Sequence, residues 1–197
     1  MPRPRNHPES ESLEQALRLF WEHGYDRTSI GELSKALGVG PSSIYNAFGN
    51  KQELFQRSLT HYADTHLAFV PAIVAQSREH GLESSLRKLM KRLVDLYSET
   101  TTPCGCAIFQ GGGGGGSDGA EGVNIAQAFR KEVYETLVKL LRSSGTTDQL
   151  TAKPARLARY LLAVLSGLSQ MACDGTSRNE LHAIAGLACD ACFLKAR

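Results

Sequence analysis

Residues 28–55 run Thr28-Ser29-Ile30-Gly31-Glu32-Leu33-Ser34-Lys35-Ala36-Leu37-Gly38-Val39-Gly40-Pro41-Ser42-Ser43-Ile44-Tyr45-Asn46-Ala47-Phe48-Gly49-Asn50-Lys51-Gln52-Glu53-Leu54-Phe55, and the reading of this stretch decides the fold. Ile30, Leu33 and Leu37 recur at three and four, which predicts a helix of about ten residues beginning at Thr28 or Ser29. Ser29 and Glu32 stand at capping-box spacing, and Gly38 suits the left-handed end of that helix. After Val39 and Gly40, Pro41 is a good first residue for a second short helix carrying Ile44, Tyr45 and Phe48. Gly49 and Asn50 end it, and Asn50 can cap a third helix with Glu53 three residues on. Two short helices around a tight glycine turn have the spacing of a helix-turn-helix, whose second helix puts its N-terminal residues into the DNA major groove.

Outward from this stretch the helical period continues. Leu13, Ala16, Leu17, Phe20 and Trp21 form one face that ends at Gly24, and Leu54, Phe55, Leu59 and Tyr62 open a long pattern predicted to reach about Gln76. Leu82, Leu86, Leu89, Met90, Leu93 and Tyr97 make a further stripe, and Phe129, Val133, Leu137, Leu140 and Leu141 another. Residues 154–172 are rich in Leu and Ala, and 178–195 place Leu181, Ile184, Ala185, Ala188, Cys192 and Phe193 on one side. The expectation is an all-α chain: an N-terminal three-helix domain over 1–50 with the helix-turn-helix, and a C-terminal helical bundle over 51–197. Gly111–Gly116 is a run of six glycines, expected to be a flexible connection. It also matches a dinucleotide-binding glycine pattern, but no strand precedes it and no phosphate-loop lysine follows, so that match is rejected.

Composition bounds the function. The chain has 197 residues, 42% hydrophobic and 21% charged, which is ordinary for a globular protein. No apolar stretch approaches the roughly 20 residues of a membrane span, and no signal core follows Met1. Five cysteines cannot all pair within one chain, which favours a reduced, cytoplasmic setting. Residues 1–60 carry seven basic side chains (Arg3, Arg5, Arg18, Arg27, Lys35, Lys51, Arg57) and seven acidic ones, a balance of zero. Nucleic-acid binding must therefore rest on placement rather than on bulk charge.

The placement suits DNA. Pro41, Ser42 and Ser43 are small groups at a helix N-terminus, where backbone N–H groups and the macrodipole favour phosphate. Tyr45 and Asn46 lie on the next turn, and the Asn46 amide can pair with adenine. Leu33, Ile44 and Phe48 read as core. The same residues also suit a helical protein without DNA affinity, in which Tyr45 is a surface tyrosine and Lys51 a solvated lysine.

Leu19-Phe20-Trp21-Glu22-His23-Gly24-Tyr25, Thr28-Ser29-Ile30, Gly38-Val39, Ile44-Tyr45-Asn46-Ala47-Phe48-Gly49 and Lys51-Gln52-Glu53-Leu54-Phe55 resemble the N-terminal domain of the TetR family of transcriptional repressors. Weaker similarity to one of its subgroups lies in Gly105-Cys106-Ala107-Ile108-Phe109 and Ala172-Cys173-Asp174-Gly175-Thr176-Ser177. The resemblance implies a homodimer formed through the last two long helices, double-stranded DNA with a near-palindromic operator as partner, and a small-molecule effector bound in the C-terminal domain. It makes Thr28 a cap and phosphate contact, Pro41, Ser42, Ser43 and Asn46 groove-facing, and Tyr45 and Lys51 phosphate contacts. Ala47 stands where many members have histidine, and Pro41 where lysine or arginine is frequent. The glycine run occupies what the family makes a short helix.

Bundles place ligands between facing helices, so Leu93, Tyr97, Phe129 and Leu168 are the candidate effector wall. Neither a cofactor nor a resident metal is implied, and no catalytic triad or Cys–His arrangement is recognisable, so an enzyme is not expected. The alternative is a thiol- or metal-responsive sensor using Cys104 and Cys106 beside the glycines, with Cys189 and Cys192 as a second pair. A plain helical interaction module is a third reading. The six histidines make no tight cluster; His61 and His66 are five apart, which is not one helix face.

Overall fold

The computed structural model describes residues 8–112, 119–143 and 148–193. They form α1 (Glu9–His23), α2 (Ile30–Leu37), α3 (Pro41–Phe48), α4 (Lys51–Thr65), α5 (Phe69–Ala75), α6 (Ser77–His80), α7 (Leu82–Tyr97), α8 (Ala107–Gln110), α9 (Gly119–Leu141), α10 (Pro154–Cys173) and α11 (Arg178–Asp190). Among the described residues there is no strand, and no helix is long and apolar enough to cross a membrane. Helical period, glycine stops and Ser or Asn caps thus produce the all-α fold their spacing predicts.

Two compact units divide the chain, one of residues 1–67 with 106–129, the other of 68–105 with 130–197. In the first unit α4 packs along α1, and α2, α3 and α8 close around the pair. Its centre is aromatic: Phe20 meets Phe55 edge-on at 4.9 Å, and Trp21 meets Tyr62 at 5.0 Å. Such pairs add about 0.5–1.5 kcal/mol beyond the area they bury.

In the second unit α7, α10 and α11 pack on one another around Leu86, Met90, Val94, Leu161, Leu165 and Leu181. Ion pairs rim the α7–α11 contact. Arg178 and His182 reach Asp95 at 2.5 and 2.8 Å, and Arg87 reaches Asp190 at 2.5 Å. Burial opposes ionisation of Asp95, but the hydrogen bonds from Arg178 and His182 hold its carboxyl below the usual range.

Three expectations change. The pattern predicted to run to Gln76 is broken after Thr65, because Pro71 has no N–H to return to the preceding turn and fits only in the first turn of a new helix, α5. The last helix stops at Asp190 rather than near 195, and Thr151 donates from its hydroxyl to the Ala191 carbonyl at 2.7 Å and from its N–H to the Cys192 carbonyl at 3.0 Å. A short helix, α8, precedes the glycine run. The expected flexible connection falls mostly on residues 113–118, outside the described residues.

Candidate nucleic-acid interface

The helix-turn-helix is built by short-range chemistry. The Ser29 hydroxyl accepts the Glu32 N–H at 3.2 Å, and the Glu32 carboxylate accepts the Ser29 N–H at 2.7 Å. That return bond, with a second from the Ser29 hydroxyl, holds the Glu32 carboxyl below its ordinary range. Gly38 then takes φ +65°, a left-handed conformation that a side chain would strain, and Ser34 donates its hydroxyl to the Val39 carbonyl across the turn. The chain enters α3 through Gly40 and Pro41 with no side-chain cap at its N-terminus.

Two groups lock the back of α3. Ile44 and Phe48 are buried, and the Arg57 guanidinium of α4 lies 5.0 Å from the Phe48 ring while donating to the Ala47 carbonyl at 3.1 Å. Gly49 takes φ +78°, a left-handed conformation that a side chain would strain. With Ile44 and Phe48 turned inward, Pro41, Ser42, Ser43, Tyr45 and Asn46 are all exposed, Tyr45 by 51%. The five expected groove and backbone contacts of α3 thus lie together on its outer surface. Asn50 caps α4 by accepting the Glu53 N–H at 2.8 Å, which places Lys51 on the adjoining first turn with its ammonium 4.2 Å from the Tyr25 ring centre.

Thr28 departs from the expectation. It is fully buried, and its hydroxyl donates to the Gly24 carbonyl at 2.8 Å, so that oxygen is turned away from any phosphate. Ser29, not Thr28, caps α2. Thr28 pins the end of α1 to the start of α2.

The cysteine constellation is also corrected. Cys104 is bonded to Cys173, 69 residues away, with 5.0 Å between their Cα atoms, so it does not pair with Cys106 and is no reachable thiolate. An odd cysteine count forbids complete pairing but allows this one bond. Cys106 is buried against the Tyr62 hydroxyl at 3.5 Å. Burial pushes the Cys189 thiol up to about 12 and that of Cys192 to about 11, which makes both inert. Among the described residues no group of three or more histidine, cysteine or acidic side chains is placed to hold a metal ion.

Sequence spacing missed one cluster. His61 of α4 and His66, which caps the end of that helix, each bring Nε2 to 3.2 Å from the same Glu14 oxygen of α1, and Arg18 bonds the other oxygen at 3.1 Å. The His66 hydrogen bond leads in lowering the Glu14 carboxyl to about 2 against the opposing effect of burial. Only the side-by-side packing of α1 and α4 brings these groups together. The candidate effector residues Leu93, Tyr97, Phe129 and Leu168 are all buried. None lines the cleft of about 350 Å³ between α7 and α11, whose walls include Met90, Lys91, His182 and Gly186.

Comparison with known proteins agrees with this geometry. Residues 13–57, which hold the whole helix-turn-helix, match the model of bacterial regulatory proteins of the tetR family. The HTH-type transcriptional repressor ComR of Escherichia coli is 27% identical over 186 residues, 93% of this chain and 88% of that protein. A cysteine mutant of the TetR family transcriptional regulator CifR, solved with 26-base-pair double-strand operator DNA, superposes with a TM-score of 0.86 at 25% identity and covers 96% of this chain and 99% of its own. A TetR transcriptional regulator from Rhodococcus sp. RHA1 is 30% identical, with a TM-score of 0.59 over 94% of this chain and 99% of its own. With its locked α3, its bare polar outer face and these full-length likenesses, the chain belongs to the TetR family and is a DNA-binding transcriptional regulator rather than an enzyme.

Proposed function

We propose that the chain is a repressor that binds a near-palindromic operator as a homodimer in the bacterial cytoplasm and is released by a small organic effector. The carrying observation is the outer face of α3, where Pro41, Ser42, Ser43, Tyr45 and Asn46 are exposed while Ile44 and Phe48 hold the helix rigidly from behind. Asn46 reads a base edge, and Tyr45 and Lys51 hold the phosphate backbone. CifR was solved on operator DNA, which supports the same use of this surface.

The dimer forms through α10 and α11. Leu187 is 67% exposed and Tyr160 40%, and the small residues Ala163, Gly167 and Ala183 are exposed beside them on the same two helices, a combination that lets helices of a second copy approach closely. The effector occupies the bundle near Leu93, Tyr97 and Leu168, and shifts the equilibrium by binding one conformation better than the other. A gel shift on duplex DNA from upstream of the chain's own reading frame tests the reading: retardation reversed by one compound from a panel of apolar organic effectors supports it, and no retardation at 50 mM salt or below overturns it.

A further inference from the structure

We propose that Tyr25 is a positioning residue for DNA contact: it holds the Lys51 ammonium in place and carries to it the positions of Gly111, Glu121 and Gly122. The proposal rests on reading Lys51 as a phosphate contact. Lys51 opens α4, where the positive end of the helix dipole disfavours a cation, and its long stem has many rotamers to lose. Its Nζ lies 4.2 Å from the Tyr25 ring centre, in cation–π range, and that ring is buried against Phe20 and Phe55 at 6.1 and 5.1 Å.

The same residue is gripped from a distant part of the chain. Its N–H donates to the Gly111 carbonyl at 2.8 Å, and its hydroxyl donates to Glu121 of α9 at 3.3 Å. Gly122 lies against the ring so closely that a Cβ there would stand 2.6 Å from Cγ and Cδ1. Gly111 is equally tight, with a Cβ 2.6 Å from the Ala107 carbonyl oxygen. Gly122 is required for this approach. A displacement of Gly111, Glu121 or Gly122 therefore moves the surface on which Lys51 rests.

The test uses the full chain and a duplex operator obtained by selection from random sequence, titrated by fluorescence anisotropy over a range of NaCl, with melting temperature recorded alongside. Each lost phosphate contact reduces the slope of log K against log salt by about 0.9, hence by about 1.8 for two protomers. Lys51→Ala first tests the underlying reading, which fails if slope and affinity stay at wild-type values. Given that Lys51→Ala lowers the slope, Tyr25→Leu is expected to lower it equally, the double variant no further, and Tyr25→Phe to retain most of it. Tyr25→Leu with a wild-type slope overturns the proposal. Should Tyr25→Leu not fold, Gly122→Ala displaces the ring without removing it: operator affinity is expected to fall in the wild-type background and to stay unchanged in the Lys51→Ala background. A loss of equal size in both backgrounds overturns the proposal, because it shows general damage rather than an effect through Lys51.

Discussion

The exposed face of α3 and those of α10 and α11 are opposite in chemistry. The face of α3 shows small polar groups and one phenol, all of which water satisfies. The faces of α10 and α11 show Tyr160, Ala163, Gly167, Ala183 and Leu187, apolar area that gains roughly 25 cal/mol per Å² when covered. A polar face at a helix N-terminus suits a phosphate-lined groove and rests comfortably alone. An apolar face with small residues suits a second copy of the same surface. On the proposed reading, each unit takes one partner.

The largest break in this comparison comes from the apolar face. Leu187→Glu is expected to give monomers in sedimentation and to weaken operator binding about 10²–10⁴-fold, since two linked half-sites become two separate ones. Ala188 of the same helix is buried within its own chain, so a charge there reports folding instead. On the polar face, Asn46→Ala is expected to cost about 1–3 kcal/mol and to relax preference at one base pair per half-site, read by competition with single-base operator variants.

The Glu14 cluster sharpens the contrast through pH. A carboxyl lowered from 4.5 to about 2 in the folded chain contributes stability that is present above pH 4.5 and lost as pH falls through about 2. Glu14→Gln should flatten the pH dependence of the melting temperature in that window while leaving the oligomeric state unchanged. Tyr45→Phe should have the smallest effect, a weakening shared by all DNA sequences, since a phosphate contact carries no base information.

The helix-turn-helix was legible because each of its determinants lies within a few residues of its partner: Ser29 with Glu32, Gly38 at the turn, Asn50 with Glu53. Pro71 carried an equally local signal, and hydrophobic period alone overran it. What stayed illegible depends on groups that only packing brings together. Thr28 looked like a surface cap until α1 offered it the Gly24 carbonyl. Cys104 finds Cys173 rather than its neighbour Cys106, and two histidines five apart converge on a carboxylate from another helix. The part played by Tyr25 is of the same kind, because Gly111, Glu121 and Gly122 are remote from it in sequence.

Whether two copies of α3 read one operator is decided by selection of duplexes from a fully randomised pool by the full chain. The account predicts a near-palindromic consensus whose half-sites are separated by about one helical turn or a multiple of it, bound by two or more protomers in even number, with one position per half-site losing its preference when the selection is repeated with Asn46→Ala. Recovery of no consensus, or of a single asymmetric half-site bound by one protomer, would contradict it.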